Sequence, residues 1–366
     1  MAATSPLPTP PGARPDPSRA GAWRAIDRRD PAVSRLVAAW RRLSAGAPTL
    51  VACSGGADSV GLLLILRAAT DRLTVAHVLH DLRPRPEAEA CRDAARRAAD
   101  ACGLPFLERA VRVEPGNAEA QARRARYAAL AEMAEAADCP VIASAHHARD
   151  QFEGVLMALL RGAGPRGLAA ARESRPLTPA ATLIRPALRE APDDLRRACL
   201  AAGLPWSEDA TNGDTSRFRA ALRHGPAADL LALRPGADVR AARSAELLRD
   251  AAGLVDDRAR AVFGEALDWP RDSLRAERPI VLAAGLRDAF ARATAGRALD
   301  RLTGDRLDPA VAAIGSRSGE TRRFDWPEGL RLTITRDRVA LARAPKQTPR
   351  VGRGALAPGV ERESPR

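Results

Sequence analysis

Within six positions, Ser54-Gly55-Gly56-Ala57-Asp58-Ser59 combines two hydroxyls, two glycines and a carboxylate, a set suited to holding a polyphosphate. Glycine reaches positive φ and lets the backbone come close to an anion, so the amides of Gly55, Gly56 and Ala57 can form a nest. Ser54 and Ser59 add hydroxyl donors. Asp58 stands where a carboxylate could hold a Mg²⁺ between phosphates, since a bare carboxylate would repel them. The segment lies between an apolar run ending at Ala52 and another beginning at Val60. That is the layout of a strand, a turn and the positive end of a helix. No GxxxxGKS/T is present and Lys346 is the only lysine, so a Walker-type loop is excluded.

A second constellation runs from His146 to Glu153. Asp150 and Glu153 are spaced i,i+3 and share one face of a helix. Acids also suit a helix N-terminus, so either residue alone is equally a cap. His146 and His147 are neighbours at a strand end and point to opposite faces, which disfavours a shared metal.

These residues need a scaffold that brings two loops to one crevice. From Thr49 to Ala145 short apolar runs alternate with helical stretches, the pattern of an α/β fold with an open, parallel, doubly wound sheet. Strands are expected at 49–52, 73–78, 106–113 and 141–145, and helices at 60–69, 86–101 and 118–137. Before them, Val33, Leu36, Val37, Trp40 and Leu43 recur at helical spacing. In such a sheet ligands sit outside the carboxyl ends of the strands, so both constellations should face one site. After His146 a helix is expected over 150–160, ending in a Gly-rich turn that carries Arg161 and Arg166, and another starts near Pro192. Beyond Gly225 the chain reads as helices (239–262, 282–302, 309–314). A hairpin of 322–325 and 330–342, turning at Pro327 to Gly329, closes it. The expected organisation is a Pro- and Arg-rich disordered extension at 1–25, a catalytic domain at 26–224, a smaller, mostly helical domain at 225–344 and a disordered basic tail at 345–366.

The 366 residues carry a formal charge of +13, nearly all of the positive charge on arginine. The arginine skew is that of genomic base composition, while the excess of bases over acids points to a polyanionic partner. Aromatic residues make up 3%, which excludes long base-stacking platforms. The five cysteines form no CxxC pair, so neither a disulfide framework nor a structural zinc site is expected. No apolar run is long enough for a membrane span and no secretory signal is present, so a cytoplasmic location is expected.

The loop resembles the SGGxDS signature of N-type ATP-pyrophosphatases, whose fold is that of the adenine nucleotide alpha hydrolases. The resemblance implies cleavage of ATP between the α- and β-phosphates. The string HHARDQFEGVLMALLRGAGPRGL resembles the HHxDDQxETxLxxLxRGxGxRGL segment of tRNA(Ile)-lysidine synthetases. NAEAQARRARY at 117–127, LIRPAL at 183–188 and WSEDATNGDTSRFRAALRH at 206–224 agree with the same family in the same order. The resemblance implies that ATP with Mg²⁺ activates C2 of the wobble cytidine of an isoleucine tRNA with a CAU anticodon, and that free lysine then displaces AMP. It assigns Asp150 and Glu153 to holding or deprotonating the lysine ammonium. Arg126 or Arg123 would steer a phosphate or carboxylate, His146 would face substrate, and Arg161, Arg166, Arg219 and Arg223 would meet tRNA phosphate. A homodimer stays open, and the further small C-terminal domain that the family often carries is not expected.

Departures from the family pattern are Leu79 and Asp81 in LHDLRP, Arg149 in place of the first acid of DDQ, and Gly154 after Glu153. They leave a catalytically degenerate tRNA-binding protein as one alternative. A thiolation enzyme using Cys102 or Cys199 is another.

Overall fold

The computed structural model describes residues 21–80, 84–112, 118–207 and 218–345. Of the positions named above, Asp81, Asn117, Asp209, Asn212, Asp214 and nearly all of both expected tails lie outside the described residues. Residues 21–25 were assigned to the N-terminal extension. They instead form a short 3-10 turn whose Trp23 packs against the core and carries the Arg67 guanidinium 4.4 Å above its ring.

Asp30 starts the first helix, α1 (Pro31–Ser44): its Oδ1 accepts the Ala32 and Val33 amides at 2.8 and 3.2 Å. The apolar stripe read from the sequence buries Val33, Leu36 and Trp40. There follow β1 (Thr49–Ala52), α2 (Ala57–Ala69), β2 (Leu73–His80), α3 (Arg85–Cys102), β3 (Phe106–Val111), α4 (Ala118–Ala136), β4 (Val141–Ala143) and α5 (Ala148–Leu160). Next come α6 (Pro165–Leu168), β5 (Ser174–Pro176), β6 (Thr182–Ile184), α7 (Pro192–Ala201), α8 (Phe218–His224), α9 (Pro226–Leu233) and α10 (Ala237–Phe263).

The sheet has the order β3-β2-β1-β4-β6-β5, parallel except for β5, which runs antiparallel to β6. The chain winds outward from β1 through β2 to β3, then returns to add β4 on the other side of β1. The switch point therefore lies between β1 and β4, and the two constellations follow those two strands. α2 is apolar on all sides, as befits a helix covered on all sides: Val60 and Leu62 to Leu66 are at most 1% exposed. It meets α7 backbone to backbone at Gly61, where a Cβ would lie 2.2 Å from the Leu195 carbonyl oxygen.

The chain divides into two compact units between Ala252 and Gly253, not at 224/225 as expected. The cause is an apolar cluster in which Phe152 of α5 packs with Leu222 of α8, Ala227 and Leu231 of α9 and Ala241 of α10. These helices belong with the sheet. α10 runs across the division.

The second unit contains β7 (Asp268–Pro270), α11 (Arg271–Arg275), α12 (Pro279–Thr294), α13 (Gly304–Gly315), β8 (Arg322–Trp326), β9 (Leu330–Ile334) and β10 (Arg338–Arg343). The expected two-stranded hairpin is an antiparallel sheet of order β7-β10-β9-β8. Its second arm bends at Thr335, whose N–H donates to the Arg338 carbonyl oxygen at 2.8 Å and whose Oγ1 accepts the Arg338 amide at 3.0 Å. Arg271, 3% exposed, ties the unit together by donating to the carbonyl oxygens of Ala313, Ile314, Ser316, Ser318 and Thr335. Among the described residues no helix is long and apolar enough to cross a membrane.

Candidate active site

The loop after β1 is anchored from beneath. The Cys53 amide donates to the Ala76 carbonyl of β2 at 2.8 Å, and His77 Nδ1 lies 2.8 Å from the Cys53 carbonyl oxygen. His77 is 4% exposed and braces the loop. Gly55 has φ 86° and a Cβ there would sit 2.1 Å from the Cys91 carbonyl oxygen of α3, so only glycine fits. Gly56 caps α2 in extended conformation, which brings the amides at the start of α2 to the crevice.

The two serines divide the work. Ser59 is 6% exposed; its Oγ donates to the Gly56 carbonyl at 2.9 Å and accepts the Ser54 amide at 3.1 Å. It holds the loop's shape from within, whereas Ser54 is exposed and open to a ligand. Gly55→Ala should therefore cost about 1–3 kcal/mol from the backbone alone and disorder the loop, seen as a lowered urea midpoint and lost nucleotide binding. A variant of wild-type stability and affinity would refute this account.

Across the switch point, His147 links the two constellations. Its Nε2 lies 3.4 Å from Asp58 Oδ2, and its Nδ1 lies 3.6 Å from Asp150 Oδ2. The Asp150 carboxylate also accepts the His147 amide at 3.1 Å, capping α5. Burial alone would lower the His147 pKa, but the Asp58 contact and the Asp150 charge outweigh it and raise the value. His146 turns away: its Nδ1 lies 3.0 Å from Ser144 Oγ, and burial, reinforced by Arg185, Arg123 and Arg219, lowers it to about 4. It is a neutral imidazole at neutral pH. The two histidines thus serve different partners, and among the described residues no His, Cys, Asp or Glu group could enclose a metal ion.

Asp150 and Glu153 share one helical face, as their spacing predicts, and two arginines from α8 meet them there. Arg219 donates to Asp150 Oδ1 and Glu153 Oε2, both at 2.8 Å, and Arg223 grips Glu153 with Nε and Nη2 at 2.6 and 3.0 Å. Glu153 is fully buried. Arg219 and Arg223 were expected to face tRNA phosphate; the structure turns them inward onto the acids. Burial would raise Asp150, but His147, His146 and Arg219 lower it to about 2.

The folded value lies below the unfolded one of 3.8, so this carboxylate adds stability above pH 3.8 that is lost as pH falls through about 2. The contribution is about 2 kcal/mol. Urea titrations between pH 5 and 2 should show an acid limb that Asp150→Asn flattens. An unchanged limb would count against the cluster.

The remaining expected site residues lie on exposed surface. Arg123 and Arg126 are on α4, Arg161 is on the turn after α5, and Arg166 is in α6. Two of the departures, Arg149 and Gly154, are accommodated. Arg149 lies 3.9 Å from the buried Asp238, and a side chain at Gly154 would meet only Ala170 at 3.4 Å. Gln151 was unassigned by sequence; its amide exchanges bonds with the Ala171 backbone at 2.8 and 3.0 Å and fixes the loop before β5. All five cysteines are buried, and burial pushes the thiols of Cys102 and Cys199 up to about 12, which works against the thiolate that sulfur transfer by either would need.

The profile of a family described as a PP-loop domain matches residues 32–227, more than half of the chain. The chain belongs to the PP-loop domain family. The matched span covers the whole sheet and α8, hence the PP-loop, His147 and the four-charge cluster. Among relatives, a tRNA(Ile)-lysidine synthase of Ralstonia nicotianae is 40% identical over 228 residues, 59% of this chain and 48% of that protein. Another, of Salinispora tropica, is 41% identical over 225 residues, 58% of this chain and 65% of that protein. The chain thus spans about half to two thirds of these relatives. A solved U34-tRNA thiolase of Methanococcus maripaludis is 14% identical, with a TM-score of 0.47 over 60% of this chain and 79% of that one.

Proposed function

We propose that the chain ligates free lysine to C2 of the wobble cytidine of an isoleucine tRNA with a CAU anticodon, through an adenylated base. One observation carries this reading: the PP-loop carboxylate Asp58 and the acid cluster at Asp150 are joined through a single side chain, His147. A nucleotide held at the first and an amine held at the second would therefore meet across β1 and β4. Two relatives named tRNA(Ile)-lysidine synthase support the choice of reaction.

The loop amides and Ser54 take the phosphates of ATP. Asp58, half exposed beside them, is the residue that would hold Mg²⁺, whose charge offsets that of the phosphates. The cytidine O2 attacks the α-phosphorus and pyrophosphate leaves. The lysine Nε, once its ammonium has lost a proton to solvent, attacks C2; AMP departs with O2, and the second proton lost from nitrogen also goes to solvent. Orientation of the reacting groups does most of the catalytic work. Asp150, held near 2, is too weak a base to deprotonate the ammonium and serves to hold it. Exposed Arg161 and Arg166 suit tRNA phosphate, and Arg126 a phosphate near the crevice.

Incubation with ATP, radiolabelled lysine and unmodified CAU isoleucine tRNA tests the reading. Label in RNA, matched by AMP and pyrophosphate, is the expected result. AMP release that requires a sulfur donor, or tRNA binding without AMP, would overturn it.

A further inference from the structure

Arg185 follows β6 at 2% exposure, a depth at which a guanidinium ordinarily has a carboxylate beside it. Among the described residues no ion pair to a carboxylate is found for it. Its Nη1 donates to the Arg172 carbonyl oxygen at 2.6 Å, and its buried Nε has no hydrogen-bond partner. The charges around it have its own sign. Arg175 of β5 and Arg123 of α4 stack on the Tyr127 ring, 4.7 and 5.1 Å from its centroid, and the Tyr127 phenol is in polar contact with Arg185 and Arg175. Burial alone would raise the Tyr127 phenol, but Arg123 and Arg185 more than offset it and pull it below its usual value. Three guanidiniums thus converge on one phenol, a costly arrangement that an added anion would relieve.

We infer that Arg123, Tyr127, Arg175 and Arg185 form an oxyanion subsite, which takes the α-carboxylate of the amino-acid substrate. The choice of lysine rests on the function proposed above. His146 is within electrostatic reach of both clusters, of Asp150 and Arg219 in one and of Arg185 and Arg123 in the other. An acidic cluster and a basic cluster thus both act on this imidazole, which suits a substrate with an ammonium at one end and a carboxylate at the other. A planar carboxylate also matches the two-pronged guanidinium donor. Arg123 is exposed and Arg175 half-buried, so they form the mouth, with Arg185 as the floor. Such a recess suits a small free carboxylate better than an RNA phosphodiester, which the exposed Arg161 and Arg166 can meet.

Equilibrium dialysis of the full chain, with and without ATP, against radiolabelled lysine and cadaverine tests the subsite, cadaverine being lysine without its carboxylate. Cadaverine should bind at least about tenfold more weakly. Arg175→Ala and Arg185→Met should each bring lysine down to the cadaverine level and leave cadaverine and tRNA binding unchanged. Should Arg185→Met fail to fold by circular dichroism, Arg175→Ala and Tyr127→Phe carry the test. Equal binding of the two ligands by the wild-type chain, or no binding of either, would overturn the subsite. Variants that lose tRNA affinity and keep lysine affinity would reassign it to RNA phosphate. Carboxylate-dependent lysine binding without any label entering tRNA would instead sink the ligation reading and leave the subsite standing.

Discussion

Glu153→Ala is expected to stop lysine transfer and to destabilise the chain by about 3–5 kcal/mol, the cost of removing one partner from a buried ion pair. Glu153 is fully buried and receives three guanidinium N–H groups, one from Arg219 and two from Arg223. Its loss leaves both arginines beside Asp150 alone, the one polar attachment of α8 to α5 that remains among the described residues. The PP-loop stands on β1, β2 and α3 and does not use this carboxylate, so nucleotide binding should persist wherever the variant is folded. Urea denaturation, nucleotide binding and labelled-lysine transfer read the three effects separately. Glu153→Gln keeps the volume and removes only the charge. Wild-type lysine transfer by either variant would refute the role.

Asp58→Asn is expected to do the reverse: stability nearly unchanged, and AMP formation reduced by at least about 10²–10³-fold, as for other single electrostatic groups at a reacting centre. Asp58 is 46% exposed, and its ion pair is with His147 at 3.4 Å. Exposed pairs contribute at most about 1 kcal/mol. The amide replaces the carboxylate without changing shape, so a loss of AMP release at unchanged melting assigns the effect to the charge. AMP formation from labelled ATP at the wild-type rate would remove Asp58 from the mechanism.

What could be read from sequence, and what could not, follows from how far apart the interacting residues lie. The phosphate loop was legible because Ser54 to Ser59 are contiguous and their flanking strand and helix are strongly apolar. α1 and the first four strands were legible for the same reason. β5 and β7, three residues each, carry no period long enough to register. The break between β9 and β10 was missed because its turn, Thr335 to Asp337, has neither glycine nor proline. The unit boundary was misplaced because the chain beyond Gly225 looks like the start of a new helical region, and only Phe152 and Leu222 packing with Ala227, Leu231 and Ala241 assigns α9 and the start of α10 to the sheet.

By itself the sequence determined the chemistry available: a loop of amides and hydroxyls with one carboxylate, two acids on a helical face, and an excess of arginine. The tertiary structure alone decided which charges meet. Arg219 and Arg223 reach Glu153 across 66 and 70 positions, His147 joins Asp58 to Asp150, and Arg185 is left at depth beside other cations. Local spacing governs which way neighbouring side chains point. The partner of a charge is set by chain crossings that bring distant segments within a few ångströms, and no local pattern encodes those.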